Sequence, residues 1–383
     1  MKRFAISMVL VALMSSSLSA DQNWTGATGD WTAGTNWDGG AAPGAGENAG
    51  INNAGTAQVL GATTAFRQLE LGTSGTGTID MTAGNLDVTP GGAWVSRGTG
   101  TGTFNQSSGV TTVAGTFFIA DGGAGTGIVN LSGDALLNVG GNLLPGGRGA
   151  VGTFGTLNIT DDARVVTAFL SSADQAGVLG TINISGNGFV GVQNQISLGQ
   201  GGSNITTVSD SGSISSGASH IYVGFNGSST LTVNGSGHVS SGDSFIIGTN
   251  NLSNGLMTMN GGTAQTGNGN LGGGALNIAS TAGATGHLQL DGGVFTVGHS
   301  LAMGAAGTLD ITGGALDLAG NWSAAGFAGN FPNATAYGGA GTFVADFEAL
   351  TSGRTRITAV PEPTAGILAG LAGLFALARR RRR

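Results

Sequence analysis

A short motif recurs about every 25 residues through most of this chain, and it restricts the folds that the chain can adopt. Each copy opens with Gly or a small polar residue and continues with an apolar–polar–apolar triplet, as in Gly127-Ile128-Val129-Asn130-Leu131. Tandem copies at one period predict a solenoid in which each unit packs on its neighbours. The ten copies begin at Gly77, Gly102, Gly127, Gly155, Gly180, Asn204, Ser229, Gly255, Gly286 and Gly307.

The motif predicts a β-strand, because its side chains alternate between apolar and polar with a period of two. The flanking positions are mostly apolar and predict the interior. The position between them is polar in every copy, so we expect that face to meet water. These polar residues are Asp80, Asn105, Asn130, Asn158, Asn183, Thr207, Thr232, Thr258, Gln289 and Asp310.

Two further strands complete each copy. In the second strand, pairs of apolar residues such as Leu86 and Val88 are expected to face the interior. In other copies the turn before this strand is one residue longer. The third is exemplified by Ile221-Tyr222-Val223-Gly224. Three short strands per unit predict an all-β fold, a parallel β-helix of about ten coils over residues 69–320, and a right-handed winding is favoured for parallel crossovers.

Composition excludes several classes of protein. Gly supplies 76 of the 383 residues, which disfavours a helical protein, and the absence of Cys rules out disulfides and thiolate metal sites. Between residues 21 and 360 there are 19 acidic residues, 6 arginines and no lysine, a formal net charge of −13. A domain this acidic repels nucleic acid, so we expect no nucleic-acid partner.

The two ends of the chain predict delivery signals. Residues 1–20 have a basic start, an apolar stretch and small residues at the end, which predicts a signal peptide recognised by the secretion machinery. Residues 360–383 contain Pro361-Glu362-Pro363, a short apolar segment and five terminal arginines. The apolar segment would make a helix of about 21 Å, short of the ~30 Å hydrocarbon core, so we expect residues 363–383 to anchor transiently in the inner membrane.

This C-terminal trio resembles the PEP-CTERM sorting signal. The resemblance implies recognition by an exosortase through Pro361, Glu362 and Pro363, in a bacterium of the Gram-negative type, and delivery to the cell surface or extracellular matrix. It covers about the last 24 residues and implies nothing about activity.

Aromatic clusters predict caps at both ends of the solenoid. Trp24, Trp31 and Trp37 lie in residues 21–68, predicted as an N-terminal cap and first coil, and exposed tryptophans stacking on sugars are the alternative. This segment and the repeats resemble bacterial autotransporter-like β-strand repeat proteins over residues 21–320. Residues 321–359 predict a second cap, with Trp322 and several Phe, and a linker from about residue 348.

The carboxylates of one turn are the strongest candidate site. Asp134 and Asp162 share a turn position in adjacent coils, with Asp161 beside them, so a Ca²⁺ site competes with a turn that merely favours Asp. Arg164 is expected nearby and could neutralise the pair, flanked by outward-facing Leu136 and Phe189. The histidines occur singly in different copies, without metal-ligand spacing: His220, His238, His287 and His299.

These observations predict a non-enzymatic structural or adhesive protein of the cell surface or of a biofilm or exopolysaccharide matrix. We assign no catalytic, cofactor-binding or metal-binding residue. A polysaccharide lyase or hydrolase on the same fold is one alternative, and it would require acidic and basic residues clustered on one strand face. The thin spread of six arginines argues against it. A glycan-binding module, which would need aromatic residues on one face, is the other alternative.

Overall fold

A computed structural model describes residues 21–348 and 352–362 of the chain. These residues form an all-β parallel solenoid of about 13 turns, with a single α-helix. At about 4.8 Å per turn, the stack is roughly 60 Å long. The predicted β-helix is confirmed, but the expected number of about ten coils is too low. The direction of winding stays a prediction.

The first sheet contains the strand of the sequence motif. All ten predicted starts align in one parallel register, from Gly77 opposite Gly102 to Gly286 opposite Gly307. Three more turns extend this sheet at its ends, two before Gly77 and one after Ile311. The first coil predicted within residues 21–68 is one of them, and the other two were not predicted. Its strands are Thr28–Asp30, Gly55–Val59, Thr76–Met81, Thr101–Gln106, Thr126–Leu131, Phe154–Ile159, Leu179–Ile184, Ser203–Val208, Ser228–Val233, the first parts of Asn254–Gln265 and Thr285–Val297, Gly307–Ile311 and Ala334–Ala336.

The second sheet follows the turn, and its register confirms the predicted change in turn length. Leu86 lies opposite Thr111 and Thr111 opposite Leu137, so the inward positions stay aligned although the turn before Leu137 is one residue longer. Its strands are Asn85–Val88, Val110–Val113, the first parts of Leu136–Pro145 and Arg164–Ser172, Phe189–Val192, Ser213–Ser216, His238–Ser241, the last parts of Asn254–Gln265 and Thr285–Val297, and Ala315–Ala319.

The third sheet closes each turn. It starts at the N-terminus of the described chain and ends before the C-terminal cap. Its strands are Asp21–Asn23, Asn48–Ile51, Gln68–Leu71, Ala93–Gly98, Phe117–Gly122, the last parts of Leu136–Pro145 and Arg164–Ser172, Ile196–Leu198, Ile221–Val223, Phe245–Ile247, Leu276–Ile278 and Leu301–Met303.

A left-handed corner after the third strand turns the chain back into the first sheet. Nine consecutive coils place a residue with positive φ here, and only small side chains occupy the position. Glycine tolerates this backbone without strain, which explains part of the high glycine content. The corner residues are Gly72, Ser96, Ala120, Gly146, Ala173, Gly199, Gly224, Gly248 and Ala279.

The interior is a continuous apolar column. The inward residue of the first strand is fully buried in successive coils, as for Ile79, Phe104 and Val129. Thr206 is a polar residue in this apolar column, and its hydroxyl is hydrogen-bonded to the side chain of Asn204. The Asn204 side chain donates to Ser172 Oγ at 2.7 Å and accepts from Thr206 Oγ1 at 2.9 Å and Ser229 Oγ at 3.1 Å. These buried groups are therefore satisfied by one another.

The polar row on the first sheet forms a ladder of side-chain hydrogen bonds. Asn183, Asn158, Asn130 and Asn105 each donate from Nδ2 to the coil before, at 2.7–2.8 Å, and the last acceptor is Asp80 Oδ1. Asn105, Asn130, Asn158 and Asn183 therefore tie neighbouring coils together as well as meeting solvent. Asp80 and Asp310 lie in this row nine coils apart, so the two carboxylates cannot act together.

The N-terminal cap is built around three buried tryptophans. Trp24, Trp31 and Trp37 are 1–2% exposed, and the Trp37 ring lies 5.1 Å from Trp24 and 4.8 Å from Trp31 in edge-to-face contacts. Trp37 also donates from Nε1 to the carbonyl of Trp31 at 2.8 Å. The three rings therefore pack together at the N-terminal end of the apolar column. The alternative of sugar stacking at these rings is wrong, because their faces are covered by protein.

The C-terminal cap combines a helix, Ala324–Asn330, with a hairpin of Gly341–Phe347 and Arg354–Pro361. Trp322, Phe327, Phe331 and Phe343 pack together beneath it. The strand Arg354–Pro361 pairs antiparallel with Ala315–Ala319, and the hairpin therefore forms the end of the second sheet.

The hairpin corrects the sequence analysis, which predicted a linker from about residue 348. Arg356 forms a bidentate ion pair with Asp317, with both nitrogen–oxygen distances at 2.7 Å. The buried side chain of Arg354 donates to the carbonyls of Val297 and Gly269. These contacts hold the first residues of Arg354–Pro361 against the last coils, whereas Pro361 pairs with Gly341 of the hairpin.

The predicted signal peptide, residues 1–20, and the sorting helix, residues 363–383, lie outside the described residues. Among the residues that the structure describes, no helix combines the length and the apolar character needed to cross a bilayer.

Candidate functional site

The turns that carry the three aspartates align in adjacent coils as predicted, with Asp134 opposite Asp162. Asp161 occupies a left-handed position, with φ of 56°, and its Oδ2 accepts a hydrogen bond from the backbone N–H of Gly133 at 3.0 Å. Asp162 Oδ1 accepts from Asn187 Nδ2 at 2.9 Å. Asp161 thus binds the turn of the coil before, and Asp162 binds a side chain in the turn of the coil after. Within the described chain, no group of three or more His, Asp or Glu side chains is arranged to hold a metal ion, Asp134 included.

Arg164 lies between Leu136 and Phe189 on the second sheet, as predicted. Its guanidinium carbon is 4.7 Å from the centre of the Phe189 ring, a cation–π contact. The ion pairs of the described residues do not include Arg164, so the expected neutralisation of the aspartates is not seen.

The histidines stay separate, as their spacing predicts. His238 Nδ1 is 2.7 Å from Thr263 Oγ1, and His287 Nδ1 is 2.7 Å from Thr308 Oγ1. Burial lowers the pKa of His238. His220 lies 3.5 Å from Asp243. Each of these three side chains contacts a polar neighbour in its own coil or an adjacent one.

A row of aromatic and arginine side chains on the third sheet was not predicted. Trp94 and Phe118 face outward in adjacent coils and stack with ring centres 5.2 Å apart and planes 11° from parallel. The guanidinium carbon of Arg97 lies 4.7 Å from the Trp94 ring, and that of Arg148 lies 6.0 Å from the Phe118 ring. The two rings are therefore contacted by two cations.

Three carboxylates hold this row in place. Arg97 pairs with Glu70 on the coil before, and Arg148 Nε lies 3.3 Å from Asp174 Oδ2. Asp121 accepts from Trp94 Nε1 at 3.0 Å and from the backbone N–H of Arg148 at 2.9 Å. The structure thus gathers two of the six arginines with three acidic residues on one face. The thin spread of the six arginines along the sequence was an argument against a lyase or hydrolase. This cluster weakens that argument.

A cleft of about 190 Å³ adjoins this row beside Arg148. One wall carries the ion pair of Arg148 and Asp174, and Phe169 stands at the edge with 43% of its surface exposed. Within the cleft, Gln195 donates to Ser197 Oγ. The residues that line it are Asn142, Leu144, Arg148, Phe169, Leu170, Ser171, Asp174, Gln195, Ser197 and Gln200.

One irregularity of the repeat could have located the cleft. The step from Gly127 to Gly155 is 28 residues, where the neighbouring steps are 25. The longer loop follows Pro145, and it carries Arg148 to the side of the third sheet. The aromatic row itself had no such signal, because Trp94 and Phe118 lie 24 residues apart at a position whose residue type varies from coil to coil.

The cleft joins a cation, a carboxylate, amides and an exposed ring within one small volume. Arginine supplies only donors, an ionised carboxylate supplies only acceptors, and amides supply both. Such a set is suited to binding a ligand that bears many hydroxyl groups. Comparison of the chain with protein-family models, curated proteins and solved structures found no match.

Proposed function

We propose that the protein is an exported, non-enzymatic component of the cell surface or extracellular matrix, where the solenoid serves as a rigid structural or adhesive rod. The proposed route uses residues 1–20 for secretion and the signal around Pro361, Glu362 and Pro363 for sorting by an exosortase.

The observation that supports this proposal is the continuity of the solenoid along its whole described length. About 13 turns share one apolar column, the coils are tied by side-chain ladders, and an aromatic cluster packs at each end of the stack. Capping segments of this kind reduce edge-to-edge pairing, which a rod outside the cell must limit. A glycan-binding role is the second candidate, favoured by the cleft beside Arg148. A lyase or hydrolase is the third.

The proposal is tested by producing the full chain in two Gram-negative hosts that differ only in an exosortase. We expect surface-exposed protein only in the exosortase host, with a mass that shows loss of the segment after the Pro361 region. A Glu362→Gln variant is expected to reach the surface poorly, since it alters the proposed signal but not the solenoid. Equal location and mass in both hosts would contradict the sorting route.

A further inference from the structure

We propose that the cleft beside Arg148 binds an uncharged polysaccharide, holding one hexose unit of the chain at a time. This deepens the adhesive role proposed above and rests on it. The residues that would contact the sugar are Asn142, Arg148, Phe169, Asp174, Gln195 and Gln200.

The chemistry of the walls matches a sugar ring. A hexose presents adjacent hydroxyls that each donate and accept, and its C–H face is apolar. Arg148 and Asp174 offer a donor and an acceptor side by side, since their own contact is a single one at 3.3 Å. The amides of Asn142 and Gln200 add both kinds of group. Phe169 supplies an exposed aromatic surface, the type of group on which flat ligands stack.

The size of the cleft indicates one unit of a longer chain. Pockets that enclose a whole small ligand are ~300–1,000 Å³. This cleft measures about 190 Å³, which is below that range, and its lining residues lie on the third sheet and the loops beside it. A weak contact of this kind gains strength when many rods bind one polymer.

Charge favours a neutral polymer over an acidic one. Within the cleft, Arg148 is balanced by Asp174, so the lining carries no excess positive charge. Outside it, the net charge of −13 over residues 21–360 repels a polyanion. Uronic-acid polymers are therefore expected to bind more weakly than neutral glucans or mannans.

Affinity electrophoresis of the full-length protein tests the proposal, in native gels that contain a neutral glucan, a galactomannan, polygalacturonate or no polymer. We expect slower migration in at least one neutral polymer. Phe169→Ala, which removes an aromatic contact, and the double variant Asn142→Ala/Gln200→Ala, which removes two hydrogen-bonding amides, should each weaken this binding about tenfold. The matched control is Phe154→Ala, which removes an equally exposed ring, at 47%, from the first sheet.

Retardation by polygalacturonate alone, no retardation at all, or an equal loss in Phe154→Ala would each overturn the proposed site. A second measurement, of reducing ends released from the polymer, distinguishes failure of the proposed binding site from failure of the proposed non-enzymatic role. If binding depends on Phe169 and reducing ends are released, the site stands and the non-enzymatic role is wrong. If binding is absent while the protein still reaches the surface, the site is wrong and the structural role stands.

Discussion

Replacing Trp31 with Ala is expected to lower the free energy of unfolding by about 3–5 kcal/mol, the usual cost of removing a large buried ring. Trp31 is 1% exposed and contacts both Trp37 and Phe66, so its loss opens a cavity at the start of the apolar column. Chemical denaturation monitored by circular dichroism measures the change. Val151→Ala is the control, because Val151 is 78% exposed and its loss should cost less than about 0.5 kcal/mol.

The same variant should also show where the damage lies. Because each coil packs mainly on its neighbours, we expect faster hydrogen exchange in the coils next to the N-terminal cap and little change in the C-terminal half. An unchanged unfolding midpoint, or exchange that rises equally along the whole chain, would contradict the role of Trp31 as a cap.

Replacing Gly127 with Val is expected to cost about 3 kcal/mol or more, because the site has no room for a side chain. A Cβ at Gly127 would lie 2.2 Å from the carbonyl oxygen of Val95 and 2.5 Å from the backbone nitrogen of Ala120. Both are main-chain atoms, so the coils themselves must separate. Denaturant titration with circular dichroism measures the loss.

Gly61→Val serves as the matched control, since a Cβ at Gly61 meets nothing within 4 Å. We expect the control to unfold near the wild-type midpoint. Equal stability of the two variants would show that position 127 has room for a side chain and does not need glycine.

Sequence periodicity predicted the repeating part of the fold well. The register of the first sheet and the change in turn length before Leu137 both follow from the need to keep apolar residues inward. The three turns outside the ten copies have weak patterns for a physical reason. In Gly55–Val59, for example, the inward residues are Ala57 and Val59, and nearby cap tryptophans fill much of the interior that larger residues fill elsewhere.

The ends and the cleft were less predictable. The helix Ala324–Asn330 contains two glycines, which disfavour a helix, and tertiary packing of Phe327 stabilises it instead. The cleft depends on how the loop with Arg148 returns to the third sheet and on the contact of Arg148 with Asp174, 26 residues away. The long step from Gly127 to Gly155 marks the loop, but the contact between Arg148 and Asp174 leaves no local pattern in the sequence.

A distance measurement between two ends of the first sheet tests the central claim, a single continuous rod, most directly. Thr78 and Thr308 occupy equivalent outward positions nine coils apart, and the chain has no Cys to compete for labels. Spin labels on Thr78→Cys/Thr308→Cys are expected to give one narrow distribution by pulsed electron resonance, centred near ~43 Å from nine spacings between strands. A broad distribution, or a peak below ~30 Å, would contradict a continuous stack of parallel coils.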